Sequence, residues 1–254
     1  MESVFFALPI RMWWDEDFSL DDDNVKTYSL KEMVRGVYPF IKPYNRTFIF
    51  ALIGLFMLHS LQGVAGEKST FMIPILSQTR TSIQEIKLTE IGEFGLLRIP
   101  RPGIPAHLHT GIDIRRPGKN YENEPIFPIY AGEVISIRDD GPFAQIILSH
   151  EVPGEEPFWT VYEHIAGIQV DLNDSVHTGS QIARFMSLEE LNTWGWQFDH
   201  FHLEILKQEP IKLEASERHP RRLFTTFALT CYSEAELNRR YSDPIHIFRL
   251  KLSQ

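Results

Sequence analysis

Cysteine is nearly absent from this chain. Cys231 stands alone among 254 residues, so an intramolecular disulfide framework is excluded. A lone thiol suits an oxidising envelope compartment and a reducing cytosol equally. Basic residues are also short, with 25 Lys and Arg against 34 Asp and Glu and a net charge of -9. That balance, with no basic aromatic patch to offset it, argues against binding to nucleic acid or to anionic lipid surfaces. Long apolar runs are scarce as well, since the stretch from Thr47 to Leu58 holds only 12 residues.

One local absence carries a location signal. No Asp or Glu occurs from Met33 to Gly66, and Arg35, Lys42 and Arg46 precede the apolar stretch. Charged and apolar regions in this order form a secretory signal, and Val64-Ala65-Gly66 supplies small residues for cleavage near Ala65 or Gly66. Residues 47–66 therefore read as a signal peptide, with an uncleaved membrane anchor as the competing reading, because 20 residues can span a bilayer. The acidic WWDEDFSLDDDN upstream does not suit a signal sequence. Residues 1–46 then form an N-terminal segment that is either poorly ordered or lies partly upstream of a true start at Met33.

Beyond residue 66 the pattern changes to short strands set off by Gly, Pro, Asp and Asn. IYAGEVISIRDD, AQIILSH, FWTVYEHI, QIARFMS and HFHLEILK follow this rhythm, while residues 67 to about 103 read as lead-in strands. The expected fold class is all-β, an antiparallel β-sandwich with short peripheral helices at SLEELNTW and SEAELNRRY. The main domain is expected over residues 67–207. Residues 208–254 show no internal repeat and read as an extension packed on it. Their arginines, Arg221, Arg222, Arg239 and Arg240, suit solvation or ion pairing better than contact with an acidic polymer.

Against this background one set of residues stands out: His109 and Asp113 in HLHTGID, His164 in TVYEH, and His200 and His202 in DHFHLEI. On a strand, residues i and i+2 share a face, so His200 and His202 project together while Phe201, Leu203 and Ile205 face a core. Between His109 and Asp113, Gly111 can take a positive φ and turn both side chains towards one ion. Two imidazoles and one carboxylate from such a set hold Zn²⁺ and leave a position for water, while two further histidines handle protons. Taken singly, neither HxGxD nor HxH specifies a metal. Glu204 shares the strand face of the two histidines, as an outer partner or as an exposed strand residue. Tyr162, on the alternation of His164, either lines the cleft or packs.

The ordered set HTGID, TVYEHI and HFHLEI resembles the lysostaphin/LytM-type zinc metalloendopeptidases, which cut peptide cross-links in bacterial cell walls. The likeness runs over roughly residues 90–207 and includes PIYAGEVISI and DSVHTGSQIA. It implies one Zn²⁺ per chain held by His109, Asp113 and His202, with His164 and His200 as the catalytic pair. It also implies peptidoglycan stems or cross-bridges as substrate and export to the bacterial cell envelope. Two segments depart from the family's wording, RRPGKNYENEPIFP and MSLEELNTWGWQFD, and both flank the expected cleft. Trp194 and Trp196 in the second are expected to reshape access. A catalytically silent regulator of other wall hydrolases is the alternative, and retention of all five histidine and aspartate positions weighs against it. A structural sandwich with histidines in a polar core is the third reading; it needs several buried imidazoles to find partners without metal.

Overall fold

The computed structural model describes residues 70–252, so the expectations for residues 1–46 and 47–66 lie outside the described residues. Among the described residues no helix is long and apolar enough to cross a membrane.

The strands run, in chain order, β1 (Leu97–Arg98), β2 (His107–Leu108), β3 (Ile112–Arg115), β4 (Pro125–Ile126), β5 (Gly132–Arg138), β6 (Gln145–His150) and β7 (Phe158–Glu163). They continue with β8 (Ser175–Val176), β9 (Ala183–Arg184), β10 (His200–Leu206), β11 (Ile211–Lys212), β12 (Phe224–Thr225) and β13 (Tyr241–Ser242). The central sheet has seven strands in the order β13-β10-β7-β6-β5-β8, with β3 also paired to β10. Every pairing in it is antiparallel. Three two-stranded ribbons, β1-β2, β4-β9 and β11-β12, pack around it and complete an all-β, sandwich-like fold.

Alternation along the strands sends side chains to two different cores. Phe201, Leu203 and Ile205 of β10, Tyr162 of β7 and Ile146 and Leu148 of β6 enter the larger one with Ile112 and Ile114 of β3. Each such side chain, once buried, contributes roughly 1.5–3 kcal/mol. On the opposite face Ile147, Val161 and Leu206 meet Cys231, Leu237 and Tyr241 from the C-terminal segment. Tyr162 is fully buried and its hydroxyl accepts a hydrogen bond from the Ile129 amide at 2.9 Å, so it packs rather than lining a cleft.

Both expected helices are present, as α1 (Leu188–Trp194) and α2 (Glu234–Arg240). Ser187 caps α1 in a capping box with Glu190. A third helix, α3 (Pro244–Lys251), follows Asp243 and was not among the expected helices. Its signals were local: Asp243 accepts from the Ile245 amide as N-cap, and proline at the first helical position is already set for the helix. The lead-in region forms little strand; it contributes a short 3₁₀ turn, Ile83–Glu85, and β1.

Candidate metal centre

Antiparallel pairing of β3 with β10 builds the centre. His202 lies opposite Asp113 and His200 opposite Arg115, so these four side chains share the face turned away from the larger core. His109 precedes β3, and its backbone is fixed by bonds to Leu96 and Gly95 at 2.9 and 2.8 Å. Gly111 serves a different purpose from the expected turn. It does not take a positive φ; a Cβ there would stand 2.2 Å from the Leu203 carbonyl oxygen and 2.9 Å from the His202 ring. Only glycine lets β3 approach β10 this closely.

Three donor atoms converge. His109 Nε2, Asp113 Oδ1 and His202 Nδ1 form a triangle with edges of 3.1, 2.9 and 3.0 Å. A tetrahedron about an ion with bonds of about 2.0 Å has an edge of ~3.3 Å, so the set fits a four-coordinate metal with little adjustment. All three residues are buried and form a cluster able to hold a metal ion.

The other nitrogen of each ring is occupied, which fixes orientation. His109 Nδ1 donates to the Glu93 carbonyl at 2.8 Å, and His202 Nε2 meets Glu204 Oε1 at 3.2 Å. Glu204 is 1% exposed, so it is a buried partner rather than an exposed strand residue. Thr110 donates its hydroxyl to the same carboxylate oxygen. Such partners settle the tautomer and strengthen the ring as a ligand. Arg98 of β1 donates to Asp113 Oδ2 at 2.7 Å and leaves Oδ1 facing the cluster. Neither Arg98 nor Thr110 carries a sequence signal that points here, because both reach the site only through tertiary pairing.

The electrostatics favour positive charge at the centre. Burial raises the Asp113 carboxyl, but hydrogen bonds from His109 and His202 outweigh it and hold the group far below the usual carboxylate range. Burial opposes protonation of His202, yet Asp113 and Glu204 prevail and lift it to about 10. A dication answers that field more fully than a proton does.

His164 and His200 stand beside the cluster. Their rings meet edge to face with centroids 5.3 Å apart, and His200 Nε2 lies 3.8 Å from Asp113 Oδ1. His164 Nδ1 donates to the Pro142 carbonyl at 2.6 Å, so Nε2 is the nitrogen left free. His164 has a φ of 62°, a left-handed conformation that a non-glycine residue rarely holds and that clusters at functional sites. Burial lowers the proton affinity of both rings, that of His200 to about 4. Phe143 and Phe198 pack against His164. The other histidines lie elsewhere: His107 is buried on β2 and bonded to the Pro105 carbonyl, and His150 at the end of β6 bonds to Ala131 and Thr160.

A cavity of about 490 Å³ opens against the centre, lined by Asp113, Arg115, His200, Trp196 and Thr89 among others. A second, of about 310 Å³, lies behind Ile165 and Trp194. The segment around α1 thus places one tryptophan on each cavity, and both indoles are exposed. In the C-terminal segment, Arg221 is ion-paired to Asp139 and Asp171, while Arg240 bonds to Thr230.

Comparison with known proteins follows the motifs. The sequence model described as "Peptidase family M23" matches residues 107–213. A search of curated protein sequences finds no match. Among solved structures, a zinc-containing peptidase from Vibrio cholerae aligns at 20% identity over 54% of this chain and 36% of its own, with a TM-score of 0.38. The catalytic domain of the antimicrobial peptidase lysostaphin from Staphylococcus simulans aligns at 18% identity over 65% of this chain and 94% of its own, TM-score 0.39. The catalytic domain of a prophage-encoded protein from Enterococcus faecalis gives 20% identity, 61% and 94% coverage and a TM-score of 0.35. The match spans about half the length of lysostaphin as a whole, 51%, and about a third of the Vibrio protein.

Proposed function

We propose, from the match of residues 107–213 to the model described as "Peptidase family M23", that this chain is a zinc metalloendopeptidase that hydrolyses peptide cross-links of bacterial peptidoglycan. The observation that carries the reading is the converging triangle of His109 Nε2, Asp113 Oδ1 and His202 Nδ1, with the second nitrogen of each imidazole already engaged. These three residues hold the ion. Bound Zn²⁺ supplies Lewis acidity, which polarises a carbonyl and acidifies water at neutral pH.

The protein's own groups manage the protons. His164 presents Nε2 because Nδ1 is tied to Pro142, and His200 presents its ring from the next face position on β10. Burial depresses both rings, which favours the neutral imidazole. A neutral imidazole accepts the proton of the attacking water, and the imidazolium so formed returns it to the leaving amine. A ring that donates towards the carbonyl oxygen stabilises the charge that develops there. Phe143, Phe198 and Trp196 wall the site with apolar surface, which strengthens these interactions by limiting water. Export to the cell envelope belongs to the same reading and is supported by the charge and hydropathy pattern of residues 33–66.

The test is release of soluble muropeptides from purified peptidoglycan by the wild-type protein and by His164→Ala and His200→Ala. Cleavage by the wild type and loss of it in both variants, with zinc retained, is the expected result. Zinc binding with no cleavage of any wall preparation would overturn the peptidase reading in favour of a regulator of other hydrolases.

A further inference from the structure

Arg115 and Arg116 follow the first motif after Ile114, and the structure sends them in opposite directions. Arg116 is buried: its guanidinium bonds to Asp199 at 2.8 Å, to the carbonyls of Asn120 and Met186, and lies over the Tyr121 ring. It fastens the segment after β3 to the segment before β10. Arg115 is exposed, lines the cavity of about 490 Å³ and makes no ion pair among the described residues.

We propose that Arg115 reads a carboxylate on the substrate, so that the enzyme favours cross-linked peptides carrying a free carboxylate beside the scissile amide over uncharged ones. This rests on the peptidase reading above and names the substrate class for the same site.

Register supplies the geometry. Arg115 sits directly opposite His200, which places their Cβ atoms about 5 Å apart on the face that carries Asp113 and His202. The β3 backbone cannot drift, since it is paired to β10 on one side and bonded to Lys87 at 2.8 Å on the other. A guanidinium projecting from that position reaches groups one residue away from an amide held at the metal. Its planar fork matches a carboxylate with two parallel hydrogen bonds.

Competing partners are already engaged. Asp199 in the same cavity is held by Arg116, and Asp113 by Arg98. Glu90, exposed on the same wall, makes no ion pair with Arg115. Thr89 lines the cavity too, but its hydroxyl oxygen is buried and does not compete for Arg115. Trp196 offers an aromatic wall across from them. A cavity of this size falls within the ~300–1,000 Å³ range of small-ligand sites.

Two synthetic cross-linked peptides, identical except that the carboxylate beside the scissile amide is free in one and amidated in the other, test the proposal. With the full chain, kcat/KM is expected to favour the free carboxylate by about tenfold or more. Arg115→Gln should collapse that ratio towards one through a rise in KM for the carboxylate peptide, and Arg115→Lys should keep part of it as a point charge without the fork. Wild-type protein that does not discriminate, or Arg115→Gln protein that still does, would overturn the assignment. Titrating both peptides into zinc-loaded His200→Ala protein, with and without Arg115→Gln, separates this from failure of the peptidase reading. Carboxylate-dependent affinity lost with Arg115 supports the proposal even if neither peptide is cut, and equal affinities contradict it.

Discussion

The two faces of β10 are built from alternate residues of one heptapeptide, HFHLEIL, and they do opposite work. On one face Phe201, Leu203 and Ile205 join the larger core, where shape and volume decide stability. The other face presents half-buried His200 and buried His202 and Glu204, the latter two held by hydrogen bonds and ion pairs with Asp113 and Thr110. Burial therefore does not distinguish core from site in this protein. What distinguishes them is whether a buried group has a polar partner and whether its charge is wanted there.

Substitutions on the site face should act on function first. His109→Ala and His202→Ala are each expected to remove the bound zinc and reduce peptidoglycan cleavage to background, read by elemental analysis and muropeptide release. Retention of one zinc per chain by either variant would break the assignment of those ligands.

On the core face the effect should fall on stability. Leu203→Ala is expected to cost about 2–5 kcal/mol, because a fully buried side chain leaves a cavity. In a domain of this size the midpoint of thermal unfolding should drop by roughly 4–20 °C. Zinc content of the fraction that remains folded should not change.

A histidine on the core face sharpens the contrast with His202. Burial pushes the His150 ring down to about 4, whereas carboxylates lift His202 to about 10. The folded-state value of His150 lies below its unfolded value of about 6.5, so protonation favours the unfolded chain. Its stabilisation is complete above about pH 6.5 and is lost as pH falls towards 4, by about 3 kcal/mol in total. The difference in unfolding free energy between wild type and His150→Gln, followed by denaturant titration with a chelator present, should shrink over that window. A difference that stays constant would show that His150 is not held neutral.

The smallest effect is expected at Glu204. Glu204→Gln should weaken zinc binding about 10–100-fold in a chelator competition, since it alters the partner of His202 Nε2 and no metal ligand. An unchanged affinity would return Glu204 to a purely structural role.

Period-two alternation made the pairing of His200 with His202 legible in the sequence, and the likeness of the ordered motifs to a known family pointed to one site for all five residues. Their convergence depends on tertiary approach, which sequence expresses only indirectly. Gly111 illustrates the gap: its presence was noticed, but the reason lies across the sheet in Leu203 and not in its own φ. Arg98 had no local signal, because its partner Asp113 is brought to it by the β1-β2 ribbon. Tyr162 could not be assigned to core or cleft by alternation, since His164 leaves the strand through a left-handed turn and breaks the pattern. The helix Pro244–Lys251 was readable from its Asp-Pro start and was obscured by its short length and mixed polarity.

The most direct measurement is zinc-edge X-ray absorption on the purified protein, with metal content determined on the same sample. One zinc per chain, with a first shell of two imidazole nitrogens and oxygen at about 2.0–2.2 Å, is the predicted result. Absence of stoichiometric zinc after metal supplementation, or a first shell without two imidazoles, would contradict the account.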